Sequence, residues 1–305
     1  MNHQRLPETG RSQRPPLRRR ASRASRGALR SLVSFISYSR TGLVGLIIVG
    51  LFVVLATFAP LIAPQSPTEV FADHILDEPS AMFPFGTDIN GMDVLSRVIH
   101  GARLDLGIAG GAVVLSLTIG IILGLVSGYR GGWFDMVLLR SMDVLQAIPV
   151  LILALAVVAA SQQSITIVVF VIAFVDTPIY TRLVRAQTLS IRESAYVESA
   201  RAVGNPFGRL LRKHIFPNAV PPVIIQTAVR FAWAVKITAA LAFVGVGIQV
   251  PTPEWGAMIK VGAGQIISGV WWPSIFPGIA ILLLAFGLNL LADGLQDYLD
   301  PEHTK

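Results

Sequence analysis

The chain has 305 residues, of which 53% are hydrophobic, 14% are charged and none is cysteine. Soluble domains carry roughly a quarter charged residues, so this composition, with a mean hydropathy of +0.63, excludes an ordinary soluble domain. The lack of cysteine excludes disulfides and thiolate metal sites. A net charge of +7 would suggest nucleic acid, but ten of the 25 basic residues lie in the first 40 positions. We therefore expect membrane lipid, and no nucleic acid, as a partner.

Residues 1–40 form a basic tail without hydrophobic periodicity. Arg18, Arg19 and Arg20 lie among Ser, Pro and Gln, and Glu8 is the only acidic residue there, a composition typical of disorder. No apolar stretch follows within the first 30 residues, so the tail is not a secretory signal. Two roles remain: its charge can hold it in the cytoplasm, or it can attract anionic lipid. We favour the first role and predict a disordered cytoplasmic tail.

Six apolar segments approach the roughly 20 residues that a helix needs to cross a bilayer about 30 Å thick. Pro149 lies within the third segment, Asp176 and Pro178 interrupt the fourth, and Lys236 lies within the fifth. We predict an all-α membrane protein with six transmembrane helices, the first in 41–63 and the other five in a core at 104–296. The segments themselves are 42–62, 104–127, 136–160, 165–183, 219–246 and 275–295.

The distribution of positive charge predicts the orientation, because cytoplasmic loops carry an excess of Lys and Arg. Residues 184–217 contain six basic residues against two acidic ones, whereas residues 64–103 contain two basic residues beside six acidic ones. Six spans then place the 184–217 loop, both termini and a 297–305 tail in the cytoplasm. The 64–103 loop would lie outside the cell.

Two local patterns predict how helices begin and pack. Gly120, Gly124 and Gly128 recur every four residues on one helix face, which lets a neighbouring backbone approach closely. Upstream, residues 94–102 place apolar side chains on one side, and Thr87 or Asp88 can cap their start. We therefore expect a separate short helix in the outer interface, within the 64–103 loop.

The 184–217 loop carries the most informative pattern. Residues 191–203 predict a helix with small side chains on one face, at Ala195, Ser199 and Ala202. Gly204 and Pro206 end it, because glycine accepts the left-handed conformation and the residue before a proline resists helical geometry. With a second helix at 207–215, the loop becomes a compact helix–turn–helix whose shape suits force transmission. From spacing alone, an ordinary basic connector remains open.

These residues also resemble a family signature. The permeases of binding-protein-dependent ATP-binding cassette (ABC) importers carry Glu-Ala-Ala, three residues, Gly, nine residues, Ile, one residue and Leu-Pro. In this chain Glu198-Ser-Ala is followed at the same spacing by Gly204 and Pro217. The chain departs from the signature at three positions: Ser199 replaces the first Ala, His214 replaces the Ile and Phe216 replaces the Leu.

Motifs between about residues 42 and 301 are similar to the dipeptide/oligopeptide/nickel branch of that family, and to its C-type permease subunit. Met92 stands where the branch usually has Arg, and Ile237 and Thr238 stand where it usually has an acidic residue. The matching motifs are Phe85-Gly-Thr-Asp, Asp93-Val-Leu-Ser-Arg, Ser127-Gly-Tyr-Arg-Gly-Gly, Arg182-Leu-Val-Arg-Ala, His214-Ile-Phe-Pro-Asn, Pro251-Thr-Pro-Glu-Trp-Gly and Asn289-Leu-Leu-Ala-Asp-Gly-Leu.

The resemblance implies the type I ABC importer permease fold in the inner membrane, with a cytoplasmic coupling helix that docks on an ATPase. The implied partners are a homologous second permease, two ATP-binding subunits and an extracytoplasmic solute-binding protein. ATP and Mg would bind to the ATPase subunits, and this chain would need no cofactor. The residues implied in ATPase coupling are Glu198, Ser199, Ala200, Gly204, His214 and Pro217.

The residues also argue against catalysis in this chain. None of its four Lys residues follows a Gly, so it lacks the Gly-Lys-Ser/Thr loop that binds ATP phosphates. Its five His residues are scattered, which predicts no metal site, and no nucleophile lies beside a base. We expect no catalytic residue and no enzyme activity.

Asp176 and Lys236 lie inside apolar segments, where an unpaired charge costs at least a few kcal/mol. At about 1.5 Å per residue, Asp176 lies about 16 Å and Lys236 about 15 Å below the outer ends of their spans. One hypothesis is that they line a water-filled translocation pathway and pair when it closes. The alternative is that they face separate water pockets or headgroups.

Together these features predict a permease subunit of an ATP-driven importer of short peptides. The same class of importer carrying nickel or another small solute remains open. An ion-coupled secondary transporter would use Asp176 as its coupling carboxylate, but the loop signature and the lack of repeated broken helices disfavour it. A non-transporting membrane scaffold is the third possibility.

Overall fold

A computed structural model describes residues 39–160, 164–248 and 250–299, which are largely helical and contain no strand. The predicted N-terminal tail up to residue 38 and the C-terminal residues 300–305 lie outside the described residues. A π-helical turn (Leu211–Ile215) precedes α9, and a 3-10 turn (Ile266–Ser268) precedes α11. In chain order the α-helices are α1 (Arg40–Thr57), α2 (Ala59–Ile62), α3 (Val94–Arg130), α4 (Gly132–Ala147), α5 (Val150–Ala160), α6 (Ile165–Arg192), α7 (Ala195–Ala202), α8 (Phe207–Leu210), α9 (Phe216–Val244), α10 (Trp255–Ala263) and α11 (Trp272–Leu299).

Five helical stretches of the described chain are long and apolar enough to cross a membrane: α1, α3, α6, α11 and the stretch Phe207–Val244. The pair α4 and α5 makes a sixth if it counts as one span. The all-α class is confirmed, but the third predicted span is not one straight helix, because α4 and Val150–Val157 meet at 87°. The bend follows from Pro149: Ile148 before it is extended, with φ −89° and ψ 123°, as its proline neighbour demands.

Helix α3 is longer than predicted, with 37 unbroken residues, or about 55 Å. The separate interfacial helix expected at residues 94–102 is instead the beginning of α3, since no proline interrupts the chain between Val94 and Arg130. Its N-cap is Asp93, whose carboxylate accepts a hydrogen bond from the Ser96 amide at 2.8 Å. The predicted caps, Thr87 and Asp88, are buried in the preceding loop.

The glycine face of α3 packs directly against α6. A Cβ atom on Gly124 would lie 2.7 Å from the carbonyl oxygen of Thr181, and one on Gly128 would lie 2.8 Å from that of Arg185. Real Cβ contacts essentially never fall below 3.0 Å, so only glycine fits. The predicted close approach of a neighbouring backbone is confirmed.

The two ends of the bundle differ in what connects the helices. We call the end with residues 193–217 the hairpin end and the end with residues 63–93 the loop end. At the loop end Arg97 is buried, donating to the carbonyls of Pro67 at 2.9 Å and Pro251 at 3.0 Å and lying 3.5 Å from Asp88. The Trp272 indole donates to the Thr87 carbonyl at 3.0 Å, so the loop, α3 and α11 are fastened together.

Arginine–aspartate pairs hold α4 against α6 towards the hairpin end. Arg185 makes a bidentate pair with Asp135, with distances of 2.5 and 2.6 Å. Arg182 donates to Asp143 at 2.7 Å. The Arg182-Leu-Val-Arg-Ala motif therefore has a structural role, since its two arginines project from successive turns of α6 to the same neighbouring helix.

Candidate functional site: the hairpin and the buried charges

The hairpin, residues 193–217, joins α6 to α9. The predicted helix 191–203 is split, because α6 continues to Arg192 and α7 begins only at Ala195. Ser194 makes the break: its backbone is extended, with φ −73° and ψ 143°. Its hydroxyl donates to the Ile191 carbonyl at 2.5 Å, satisfying an acceptor at the end of α6. The split turns α7 into a separate short element below α6.

The turn of the hairpin depends on Gly204, as the sequence predicts. Its φ of +82° lies in the left-handed region, which glycine adopts without strain. A Cβ atom there would meet nothing within 4 Å, so the backbone angle, and not space, requires glycine. Asn205 closes the turn by donating through its side chain to the Ala200 carbonyl at 2.9 Å.

Aromatic and cationic side chains anchor the hairpin to the end of α3. The guanidinium of Arg201 lies 5.5 Å from the ring centre of Tyr129, and that of Arg130 lies 5.6 Å from the ring centre of Phe207. The Tyr129 and Phe207 rings meet edge to face at 5.0 Å. Arg192 also donates to the Tyr129 carbonyl at 3.0 Å. Movement of the hairpin therefore acts on α3 as well as on α6 and α9.

The opposite side of the hairpin is exposed and small. Ser199 and Ala202 are exposed, and Val203 beside them is 84% exposed. Glu198 lies instead on the anchored side, where it lines a cavity of about 570 Å³ with Tyr129, Arg192 and Arg201. Val197, Leu210 and Ile215 are buried below the exposed face. The arrangement is a shallow, small-residue surface on an apolar base.

The remaining predicted coupling residues shape the hairpin from within. Ala200 is partly buried, and its carbonyl accepts the hydrogen bond from Asn205 that closes the turn. The His214 carbonyl accepts from the Asn218 side chain at 2.7 Å and lies 3.4 Å from the Tyr196 hydroxyl, which links the two limbs. Pro217 is exposed at the first turn of α9, directly after the π-helical turn.

The two predicted intramembrane charges do not meet. Asp176 is 2% exposed and pairs with Arg230 of α9, at 3.1 Å between Oδ1 and Nη1. Lys236 is exposed and takes part in no ion pair within the described residues. In this conformation Asp176 therefore does not pair with Lys236, and the hypothesis that the two pair when the pathway closes stays a prediction. The two basic residues lie six positions apart on α9 and so face different directions.

Three helices contribute to the Asp176–Arg230 pair. Ser116 of α3 places its hydroxyl 3.5 Å from the other carboxylate oxygen of Asp176. The guanidinium of Arg230 also lies 4.9 Å from the ring centre of Trp233, a favourable cation–π geometry. Sequence reasoning missed Arg230 because counting depth from predicted span ends favoured Lys236. The available signal was a second basic residue in the same apolar segment.

Comparisons with known proteins agree with this architecture. Residues 120–305 match the family described as binding-protein-dependent transport system inner membrane component. Residues 37–79 match the N-terminal transmembrane domain of oligopeptide transport permease C. In a crystal structure of an amino acid ABC transporter with histidines, one chain has a similar fold, with a TM-score of 0.51 and 16% identity. That match covers 65% of this chain and 91% of the other.

Several relatives are similar over most of their length. The dipeptide transport system permease protein of Alkalihalophilus pseudofirmus is 41% identical over 264 residues, covering 87% of this chain and 86% of that protein. The di/tripeptide transport system permease protein of Pseudomonas aeruginosa is 41% identical over 271 residues, covering 87% and 89%. The probable D,D-dipeptide transport system permease protein of Escherichia coli is 39% identical over 258 residues, covering 84% and 86%.

The glycine-packed helices, the anchored hairpin and these matches along most of its length lead to one conclusion: the chain belongs to the family of binding-protein-dependent transport system inner membrane components.

Proposed function

We propose that this chain is the permease subunit of an importer that carries short peptides delivered by an extracytoplasmic binding protein. Three relatives named as dipeptide or tripeptide permeases support this cargo. The chain would pair with a homologous second permease and two ATP-binding subunits, which would bind ATP and Mg. The hairpin and both termini would lie in the cytoplasm, and the loop end would face the binding protein.

The observation that carries this proposal is the small exposed face on a firmly anchored hairpin. Ser199, Ala202 and Val203 leave room for another protein to approach the backbone of α7. The hairpin continues directly into α6 and α9, and its contacts with Tyr129 reach α3. An ATPase subunit that moves this face would therefore displace three long helices together.

A cross-linking experiment tests the docking. The chain contains no cysteine, so Ser199→Cys introduces a single reactive thiol on the exposed face. In the assembled complex we expect it to form a cross-link with the ATPase subunit. Leu61→Cys is the matched control, because Leu61 is 82% exposed at the loop end and should form no such link. Labelling of Ser199→Cys from outside the cell would contradict the proposal.

Lys236 is our candidate for the translocation pathway. A lysine in mid-helix is not stable against lipid hydrocarbon, so its exposed side chain needs water or a partner permease. We expect Lys236→Met to lower peptide uptake about tenfold, the effect of losing one charged hydrogen bond, while leaving the amount of folded chain unchanged. Uptake by reconstituted complexes measures this. Lys260→Met, at an exposed lysine of α10, is the control. Unchanged uptake in Lys236→Met would place the side chain outside the pathway.

The ion-coupled alternative loses support from the position of Asp176. A coupling carboxylate must exchange its ion with water during transport, whereas Asp176 is enclosed and paired with Arg230. We assign this pair to holding α6 against α9.

A further inference from the structure

Two carboxyl groups lie together at the loop end, where α10 begins. Asp105 of α3 is 1% exposed and Glu254, directly before α10, is 0% exposed. The two side chains are neighbours, because Glu254 directly precedes Trp255, whose backbone amide donates to Asp105. The two residues are 149 positions apart, and neither has a part in the hairpin or in the Asp176–Arg230 pair.

The hydrogen bonds around the two groups come from the backbone of α10. Glu254 accepts from the amides of Gly256 at 2.9 Å and Ala257 at 2.6 Å, and so caps the helix. The Trp255 amide donates to Oδ2 of Asp105 at 3.2 Å. The other oxygen of Asp105, Oδ1, is buried and receives no hydrogen bond from the described residues. A proton bound at this site would supply the hydrogen bond that this oxygen lacks.

Within the described parts of the chain, no basic side chain is bonded to the pair. Of the charged or titratable groups on α3, Arg97 bonds elsewhere at the loop end, the His100 ring bonds to the Ser96 carbonyl at 2.9 Å and Arg103 is exposed. Lys260 of α10 and Lys236 of α9 are exposed. The described parts of α1 and α11 carry their charged residues, Arg40, Asp293 and Asp297, towards the hairpin end.

Two adjacent carboxylates without a cation cannot both stay ionised in a buried site. Burial raises the pKa of Glu254, although the amides of Ala257 and Gly256 oppose that shift. Because Glu254 accepts two amide hydrogen bonds, it is the better acceptor, and Asp105 is the better donor. A proton on Asp105 satisfies Oδ1 and removes the repulsion in one step.

We propose that Asp105 and Glu254 form a proton-binding site, in which one shared proton fastens α10 to α3. With the proton present, the pair is a hydrogen bond between the two helices. Without it, two buried negative charges repel each other beneath Trp255, whose ring packs on Gly101 and Phe52. The inference does not depend on the transported cargo.

Thermal unfolding of the purified complex at several pH values tests the site. The pair holds a proton when folded, whereas free carboxylates ionise above about pH 4. The folded state then binds more protons, so stability falls as pH rises until the pair ionises. Between about pH 5 and about pH 8 we expect the thermal unfolding midpoint of the unmodified complex to fall by about 5 °C. The midpoint of Asp105→Asn should not change over this range, because its side-chain amide still donates a hydrogen bond and does not titrate. Asp73→Asn, at an exposed carboxyl of the same end, should keep the slope.

Infrared spectroscopy gives a second readout. The unmodified complex should show the carbonyl stretch of a protonated carboxyl group at neutral pH, and Asp105→Asn should lack it. If Asp105→Asn does not assemble, the unmodified complex decides, since absence of this band at neutral pH overturns the proposal. Equal pH slopes in both proteins overturn it too. So does a midpoint that follows the sodium or potassium concentration instead of pH, because the ligand would then be a metal cation.

Discussion

Arg230→Met is expected to destabilise the folded chain by about 3–5 kcal/mol, because removing one partner of a buried ion pair leaves the other charge uncompensated. Asp176 would then be an enclosed carboxylate that keeps only the long contact of 3.5 Å with the Ser116 hydroxyl among the hydrogen bonds described above. Unfolding of the purified chain in detergent, followed by loss of helical signal, measures the change.

The double variant Asp176→Asn with Arg230→Met is the control for the pair itself. It removes both charges, so we expect it to recover most of the stability that Arg230→Met loses. Lys236→Met should have almost no effect on stability, because Lys236 is exposed and lies away from Asp176. A loss from Lys236→Met as large as that from Arg230→Met would contradict the pairing described here.

Gly124→Ala is expected to destabilise the chain by about 1–3 kcal/mol, the usual effect of overpacking a close interface. The new methyl group would lie 2.7 Å from the Thr181 carbonyl oxygen and from Cβ of Val184. Neither atom lies at the end of a side chain that can rotate away, so α3 and α6 must separate. The same unfolding measurement applies.

Gly107→Ala provides the matched comparison in the same helix. A Cβ atom at Gly107 meets nothing within 4 Å, so alanine there should be neutral or stabilising by about 0.5–1 kcal/mol through its better helix propensity. Equal effects at positions 107 and 124 would mean that the glycine face does not set the distance between α3 and α6.

Local sequence patterns were sufficient for the features that depend on a few neighbouring residues. Apolar segments of span length predicted the all-α membrane class, the four-residue spacing of glycines predicted the close helix face, and Gly204 with Pro206 predicted the turn of the hairpin. Each of these follows from helix periodicity or from backbone angles that a single residue type permits. The orientation in the membrane and the docking role of Glu198 and Ser199 stay predictions.

Features that join distant residues depended on the packed helices. The 87° bend after α4 could not be read from Pro149, because a proline marks a break but not the direction of the chain beyond it. The predicted interfacial helix is part of α3, because Val94, Ile99 and Ala102 are buried along the same helix axis.

At the candidate site, too, the sequence predicted local features but not the contacts between distant residues. A span's charge count shows that Asp176 needs a partner, but helix rotation and tilt decide that the partner is Arg230 and not Lys236. Asp105 and Glu254 lie in segments with no common motif, and only the docking of α10 on α3 makes the two side chains neighbours. Composition and periodicity specify which side chains must be buried or exposed, whereas the pairing of buried charges is set by three-dimensional packing.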